Sequence, residues 1–380
     1  MRFSKAFPSF TVALFVTIAF AGAQGTRPAL TVPSGFSIAL VARVPAAREL
    51  AVAPNGDLFV GTLRSDVYVI RKPESEPAEA HVFVSMPERP AHGVAFGPGA
   101  LYVGTQFGVW KIPYKPGDER ASAAPHRIAS VRTSGVSRDH VTTSVAFANG
   151  VLYASVGSSC DACDPELDAT RATIQQMGPD GEDPHPRAVR IRNAIALAVN
   201  PQTGAVWTGV AGQDELEAGH PYEIVDPFTL HGGVPDYGWP NCYDNHRSAG
   251  NHDCSKMTVP RVVLPAYVTP IGAALYPESL SGPHAFPPQY RGGLFLGVHG
   301  SWHRPLRAPR VVFVPLRADE PATPVDWSDP NKQWREFVGG FQNADESRNG
   351  RATGIAVGSQ GDLFVADDYA GAVYRVRFGG

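Results

Sequence analysis

The 380-residue sequence is poor in charge and in cysteine, and it contains no run of basic side chains. Asp, Glu, Lys and Arg together make up only 18% of the chain, and nothing in their distribution favours a nucleic-acid partner. After the first 23 residues, no stretch is apolar enough to span a lipid bilayer. The composition therefore argues against nucleic-acid-binding and membrane-spanning classes. It favours a globular chain that is long enough to bury a large core.

The first 23 residues have the pattern of a targeting segment rather than of folded structure. Arg2 and Lys5 form a basic start, Phe10–Phe20 is mostly apolar, and Ala21-Gly22-Ala23 fits a small-residue cleavage site. The pattern predicts a signal peptide over residues 1–23 and a single domain over residues 24–380, exported to the periplasm or secreted. A retained anchor is the alternative, although the apolar run is short for a bilayer span.

The four cysteines form two local pairs. Cys160 and Cys163 enclose a CxxC motif, and Cys242 and Cys254 lie close together later in the chain. In an oxidising compartment this pattern predicts the disulfides Cys160–Cys163 and Cys242–Cys254. A four-thiolate zinc site is the less favoured alternative, because structural zinc sites prefer two CxxC-type knuckles. Asp164, not His, follows the CxxC motif, so haem attachment is excluded.

Glycine and proline are plentiful, with 39 and 35 residues, and both suit tight turns. Between the turns lie short apolar runs rich in Val, Phe and Tyr, a pattern typical of β-meanders. The pattern recurs six times, in residues 50–61, 94–104, 145–154, 196–207, 291–298 and 355–376.

Such a unit cannot bury both of its faces alone, so the units must pack side by side. Several of the turn glycines recur at roughly the 40–50-residue period of a propeller blade. We therefore predict an all-β fold, a six-bladed β-propeller with four-stranded antiparallel blades and long inserted rim loops. Gly35–Val44 is expected to pair with the last blade and to close the ring. Gly117–Ala129, Cys160–Pro186 and His220–Pro270 are expected to be irregular.

Polar residues stand at equivalent places in several repeats. His140, Arg192 and Arg351 precede the first strands of the third, fourth and sixth repeats, and the cluster His299–Arg304 follows a strand of the fifth. Taken singly, each residue is typical of an ordinary surface group. In a ring, however, equivalent positions converge at one end of the axis. The recurrence therefore predicts a cationic concave mouth with a histidine base.

An ordered set of short motifs resembles the soluble glucose/sorbosone dehydrogenase family, and most closely its sorbosone and pyranose dehydrogenase branch. The motifs are Asp139-His140, Gly157-Ser158-Ser159-Cys160, Arg192-Asn193, Gln213-Asp214-Glu215, Tyr237-Gly238-Trp239-Pro240, His299–Arg304, Gly350-Arg351 and Ala366-Asp367-Asp368. The resemblance covers essentially the whole mature chain. It implies a six-bladed propeller that uses pyrroloquinoline quinone and Ca²⁺ to oxidise a sugar or a sugar-derived alcohol or aldehyde. It also implies an external electron acceptor, such as a cytochrome or a quinone.

The resemblance also implies a role for individual residues. His140 matches the general base. The cofactor-binding positions are Arg192, Asn193, His299, Arg304 and Arg351. The backbone carbonyls of Gly212 and Gln213 fall where the family binds calcium, whose preferred ligands are oxygen atoms.

The sequence departs from the glucose enzymes of the family in four places. Ser158 stands where those enzymes place an aspartate behind the histidine, and Gln213 replaces a proline in the calcium segment. Ile195 replaces a polar cofactor contact, and the loop around His299 has no lysine. These departures favour a substrate other than glucose. They also keep open the alternative of a non-catalytic propeller that binds carbohydrate or protein, because the fold hosts many functions. A lactonase-type hydrolase is a weaker alternative, since its set of metal-binding side chains cannot be assembled here.

Overall fold

The computed structural model describes residues 30–75, 78–133, 140–166, 168–214, 216–302 and 306–379. The predicted architecture is confirmed, because six four-stranded antiparallel sheets form the blades of a propeller. Within the described ranges the chain has no α-helix, only two short 3-10 turns at Phe228–Leu230 and Pro288–Tyr290. The same ranges contain no helix long and apolar enough to cross a lipid bilayer.

Each blade runs outward from a first strand at the axis. Blade 1 contains Ala47–Val52, Leu58–Thr62, Asp66–Ile70 and Ala80–Ser85. Blade 2 contains Gly93–Gly97, Ala100–Gly104, Gly108–Pro113 and His126–Ser130. Blade 3 contains Val145–Ala148, Val151–Val156, Thr173–Met177 and His185–Ala188.

The second half of the ring follows the same plan with longer connections. Blade 4 contains Ala194–Val199, Val206–Val210, Glu223–Asp226 and Val262–Leu264. Blade 5 contains Pro270–Leu275, Leu294–Val298, Arg310–Val314 and Arg335–Val338. Blade 6 contains Ala352–Val357, Leu363–Asp367, Ala372–Phe378 and Phe36–Arg43. Two small hairpins lie in the connections, Cys242–Tyr243 with Arg247–Ser248 and Leu316–Arg317 with Glu320–Pro321.

The second strands are the most buried part of each blade, because the blades on either side each cover one of their faces. In five blades the second strand is buried almost throughout, which explains its nearly continuous apolar sequence. The blades also meet closely. A Cβ atom on Gly104 would lie 2.1 Å from the carbonyl oxygen of Thr143, and one on Gly297 would lie 1.9 Å from that of Thr353. Glycine at these two positions therefore permits the contact between adjacent blades.

Closure of the ring occurs as predicted. Phe36–Arg43 pairs antiparallel with Ala372–Phe378, from Phe36 opposite Phe378 to Arg43 opposite Ala372. The Phe36 ring then packs edge-on against the ring of Phe286 at 4.8 Å and against that of Phe337 at 5.1 Å. The first strand of the chain thus fastens the last blade to the aromatic core of blade 5.

Three stretches expected to be irregular hold outer strands instead, so that prediction is wrong there. Residues 160–186 contain the third strand of blade 3, residues 220–270 contain the two outer strands of blade 4, and residues 117–129 run into the fourth strand of blade 2. These outer strands are short and several carry polar residues, such as the two glutamines of TIQQM, so they lack the apolar run by which the inner strands were recognised even where they are buried.

Both predicted disulfides are confirmed, Cys160–Cys163 and Cys242–Cys254. The four-thiolate zinc alternative is thereby excluded, because all four sulfur atoms are paired. The first disulfide holds a loop next to His140 and the second holds the insertion that follows the third strand of blade 4.

Replacing Phe36 with alanine should lower the free energy of unfolding by about 2–4 kcal/mol, because the closing strand loses its aromatic anchor. Leu40→Ala provides the control, since Leu40 lies on the same strand but is 47% exposed. That change should cost less than about 0.5 kcal/mol. Equilibrium denaturation of both variants measures the difference, and equal losses would contradict a closing role for Phe36.

Candidate functional site

The candidate site lies at the end of the ring where all six first strands begin, which we call the mouth. Because each blade starts at the axis and its strands alternate in direction, the turn from the second to the third strand also lies at the mouth. His140, Arg192 and Arg351 precede first strands, and His299 directly follows the second strand of blade 5. All four residues therefore stand at the same end of the propeller.

Two acceptor groups of Ser158 hold the imidazole of His140. Its Nδ1 lies 2.9 Å from the Ser158 carbonyl oxygen and 3.1 Å from the Ser158 hydroxyl. The hydroxyl donates its own hydrogen to the Cys160 carbonyl at 2.6 Å, so both Ser158 groups accept from His140. Nδ1 must then carry the hydrogen, which leaves the lone pair on Nε2. Ser158 thus orients the ring although it is not the aspartate of the glucose enzymes.

The charge state of His140 follows from its surroundings. Burial, with the nearby Arg192 guanidinium as a second cause, lowers the pKa of His140 to about 4. The ring is therefore neutral near pH 7 and can accept a proton at Nε2. Arg171 stabilises the backbone of this segment, because its Nη2 donates to the His140 carbonyl at 2.9 Å and to the Ser158 carbonyl at 3.2 Å. Sequence reasoning missed Arg171, which lies outside every motif.

Arg192 and Asn193 lie beside His140, and both are 6% exposed. Arg192 Nη2 donates to Asp161 Oδ1 at 2.7 Å and to Asp214 Oδ2 at 3.2 Å. Asp161 belongs to the loop that the Cys160–Cys163 disulfide closes. A Cβ atom on Gly157 would lie 2.5 Å from Asn193 Oδ1 and 2.6 Å from His140 Cβ, so the two side chains meet over this glycine. The structure thus brings three of the predicted residues together.

His299 and Arg351 form a second group, across blades 5 and 6. Arg351 donates from Nε to the His299 carbonyl at 3.0 Å and from Nη2 to the Gly300 carbonyl at 2.8 Å. Both carboxylate oxygens of Asp368 lie 3.0 Å from His299 Nε2, and Arg48 forms an ion pair with the same carboxylate. Arg304, the fifth predicted cofactor-binding residue, lies outside the described residues.

The electrostatics of this second group favour an anionic ligand. Burial, with the charge of Arg348 as the next cause, lowers the pKa of Arg351 to about 10, and burial lowers the pKa of His299 to about 3. Burial opposes ionisation of Asp368. Nevertheless the hydrogen bond from His299 and the charges of Arg48 and Arg351 hold the pKa of Asp368 at about 2. Among the described residues, the buried Nε atom of Arg48 has no hydrogen-bond partner. Arg48 and Arg351 both lie close to Asp368, so this part of the mouth offers guanidinium donors that suit a ligand with carboxylate groups.

Gly212 and Gln213 follow the second strand of blade 4, next to Arg192. In the part of the chain that the structure describes, neither carbonyl oxygen accepts a hydrogen bond. Two such oxygens suit a hard cation such as Ca²⁺, with further oxygen ligands coming from a bound cofactor. No group of three or more His, Cys, Asp or Glu side chains among the described residues could hold a metal by itself. The donor set therefore fits calcium bound together with a cofactor.

Glu223 forms hydrogen bonds with backbone segments next to both groups of the mouth, the one around Arg192 and the one around His299. The sequence did not predict this residue. It is buried, and burial raises its pKa to about 7. Its carboxylate accepts hydrogen bonds from the amide of Gly212 at 2.6 Å and from that of Thr269 at 3.4 Å, and the Thr269 carbonyl accepts from the His299 amide at 3.0 Å. No motif marks Glu223, because its partners are backbone groups distant in sequence.

Replacing His140 with asparagine should weaken the pH dependence of stability between pH 6.5 and 4. In that window the unfolded chain binds a proton at position 140 and the folded chain does not, so the free energy of unfolding falls as the pH falls. The variant lacks this proton, and its slope should be shallower by up to about 1.4 kcal/mol per pH unit. Urea denaturation at several pH values measures the slope, with the exposed His126→Asn as control. Equal slopes in the wild type and H140N would show that His140 is not buried in its neutral form.

Comparisons with known proteins agree with this architecture. The family model described as TrAA12-like matches residues 238–378, which is less than half of the chain. A curated relative, an uncharacterized protein of Borreliella burgdorferi, is 22% identical over 97% of this chain and 96% of its own length.

Two solved structures superpose over most of the chain. The holo form of the pyranose dehydrogenase PQQ domain from Coprinopsis cinerea has a TM-score of 0.78 and 17% identity, covering 92% of this chain and 97% of its own. The Trichoderma reesei protein of carbohydrate-active enzymes family AA12 has a TM-score of 0.76 and 18% identity, covering 94% and 99%. In fold, therefore, this chain is similar to the quinone-binding domain of a pyranose dehydrogenase and to an AA12 protein, as the motifs had indicated.

Proposed function

We propose that this chain is a quinoprotein oxidoreductase that oxidises a sugar or a sugar-derived alcohol or aldehyde, with pyrroloquinoline quinone and Ca²⁺ as cofactors. The observation that carries the proposal is the state of His140. Its Nδ1 hydrogen faces two acceptors of Ser158, so that Nε2 keeps a lone pair at the mouth of the ring. A neutral histidine in this state is suited to remove a proton from a hydroxyl group.

The residues of the mouth supply a binding site of matching chemistry. Arg192, Asn193, His299, Arg304 and Arg351 would bind the cofactor, the arginines through its carboxylates and reactive oxygens. The carbonyl oxygens of Gly212 and Gln213 would hold Ca²⁺ beside it. The bound quinone would supply the hydride acceptor for the substrate C–H bond, and a cation beside it would stabilise the developing negative charge.

His140 would perform the proton transfer. Nε2 takes the hydroxyl proton, and the positive charge then spreads over a ring whose Nδ1–H already points at the Ser158 carbonyl 2.9 Å away. Because burial and Arg192 disfavour the charged ring, His140 does not retain the proton and releases it after turnover. Ser158 and Arg171 keep the ring in place through backbone contacts, and Arg192 is itself held by Asp161.

Two exposed aromatic side chains support a sugar as substrate. Trp302 is 75% exposed and lies three residues after His299, while Tyr369 is 60% exposed and directly follows Asp368. Both therefore stand at the mouth beside the second group of polar residues. Exposed aromatic faces next to hydrogen-bonding groups match the apolar faces and hydroxyls of a pyranose ring.

The proposal also includes an electron acceptor and export of the protein. Electrons would leave to an external acceptor, a cytochrome or a quinone. The segment 1–23, which lies outside the described residues, would direct export to the periplasm or out of the cell. A non-catalytic propeller that binds carbohydrate or protein is the alternative, favoured by the glutamine at position 213. Titration with the quinone separates the two, because only the first requires cofactor binding at micromolar concentration.

Purified protein incubated with pyrroloquinoline quinone and calcium chloride should reduce an electron-accepting dye when sugars are added from a panel of aldoses. Replacing His140 with alanine should lower kcat by about 10²–10⁴-fold, because the proton acceptor is lost. Quinone binding, followed by absorbance, should remain. The exposed His126→Ala should behave as the wild type. Unchanged turnover in H140A would refute the base, and absence of quinone binding by the wild type would refute the function.

Replacing Trp302 with alanine should raise KM for the sugar about 10-fold and leave kcat nearly unchanged, since a stacking contact binds ground state and transition state alike. Leu230→Ala is the matched control, because Leu230 is 44% exposed but follows the third strand of blade 4, at the opposite end of the ring. Steady-state kinetics on the best aldose measures both constants. A wild-type KM in W302A would remove the aromatic contact from the proposal.

A further inference from the structure

Glu223 is a buried carboxyl group for which the proposed chemistry has no use. It opens the third strand of blade 4 and is 3% exposed. Its Oε2 accepts a hydrogen bond from the Gly212 amide at 2.6 Å, and its Oε1 accepts from the amides of Tyr267 at 3.0 Å and Thr269 at 3.4 Å. A carboxylate satisfied by three backbone amides orders the segments to which those amides belong.

The first of these segments leads into Gly212 and Gln213, whose carbonyl oxygens are the proposed calcium ligands. The peptide between Ala211 and Gly212 is held on both sides, because Glu223 accepts from its N–H and Arg192 Nη1 donates to its carbonyl at 3.3 Å. The peptide between Gln213 and Asp214 is held by its N–H, which donates to Asp161 Oδ1 at 2.7 Å. Since a trans peptide is planar with C=O and N–H opposed, the Gln213 carbonyl must point away from Asp161. Both ends of the Gly212-Gln213 unit are therefore fixed.

The second segment leads to His299. Tyr267 and Thr269 have φ values of 69° and 54°, a left-handed conformation that residues other than glycine keep only when their surroundings hold them. The carboxylate of Glu223 binds the amides of both residues. The same loop then accepts backbone hydrogen bonds from the site, with His299 N donating to Thr269 O at 3.0 Å and Gly300 N to Val268 O at 2.8 Å. One side chain thus connects both groups of the mouth.

We propose that Glu223 is a positioning residue, which orients the Gly212 and Gln213 carbonyls for a bound calcium ion and holds the loop that carries His299. The inference rests on the proposed function, since it assigns a role within the same site. Glu223 acts through backbone amides and does not itself bind the ion. Groups that hydrogen-bond to metal-binding segments without binding the metal themselves orient the ligands, and their loss typically weakens metal binding by about 10–100-fold.

Glu223→Gln tests the proposal most directly, because it keeps the shape of the side chain. The amide oxygen can still accept from Tyr267 and Thr269, whereas the amide nitrogen would face the Gly212 N–H, so that only the Gly212 bond is lost. Asp226→Asn is the matched control. Asp226 is buried on the same strand and accepts from His231, Tyr237 and the Arg261 amide, but it has no contact with Gly212.

Calcium affinity is measured by titrating calcium chloride into each full-length protein saturated with pyrroloquinoline quinone, and thermal melting of the apoproteins is followed alongside. We expect E223Q to bind calcium at least about 10-fold more weakly than the wild type. D226N should keep the wild-type affinity within about 2-fold even if it melts earlier. Hydrogen exchange of the wild type adds a measurement that needs no variant, and here the Gly212 amide should exchange far more slowly than that of Gly219, which lies in an open turn.

Three results would overturn the inference. The first is a calcium affinity in E223Q equal to that of the wild type. The second is a loss of calcium affinity in D226N as large as that in E223Q, which would give Glu223 only a general structural role. The third is fast hydrogen exchange of the Gly212 amide in the wild type, which would overturn the inference even if E223Q failed to fold. Failure of the proposed function is distinct, because it would appear as absence of quinone binding by the wild type even at saturating calcium.

Discussion

The close contact between neighbouring blades at the mouth is the constraint on which the rest of the structure depends. At Gly104 and Gly297 the carbonyl oxygen of the next blade lies where a side chain would begin. Each second strand is thereby brought against the first strand of its neighbour, and the six entrances to the first strands are drawn together around one axis. Residues far apart in the chain, such as Arg48 and Asp368, can then form a buried ion pair.

Backbone groups do most of the positioning in this mouth. The carbonyl of Ser158 orients His140, the carbonyls of His299 and Gly300 orient Arg351, and the amides of Gly212 and Thr269 are bound by Glu223. Since any residue supplies a backbone carbonyl or amide, the loss of a motif side chain need not disturb the geometry. This explains how Ser158 can stand in place of an aspartate while the imidazole keeps a defined tautomer.

Burial and arginine charges both disfavour protonation of the two histidines at the mouth. They keep His140 and His299 neutral, with pKa values of about 4 and about 3, while the nearby arginines stay positive. The result is a pair of neutral imidazoles beside guanidinium groups that attract anions. Both properties come from the same low-dielectric surroundings, since burial penalises the charged imidazole and strengthens the attraction between a guanidinium and a carboxylate.

The repeat, the number of blades and the closing strand followed from the sequence alone, because the inner strands carry short apolar runs that recur along the chain. The pairing of the cysteines followed from their close spacing. It also indicated which polar residues stand at the mouth, since equivalent positions in a ring converge. Outer strands such as Thr173–Met177 were missed, because a short strand with polar residues at its centre, here two glutamines, has no distinctive apolar pattern even where it is buried. The contacts of Ser158, Arg171 and Glu223 were decided only by the tertiary structure. Each of these contacts involves a backbone group that folding brings near. The spacing of side-chain types along the chain does not predict such a contact.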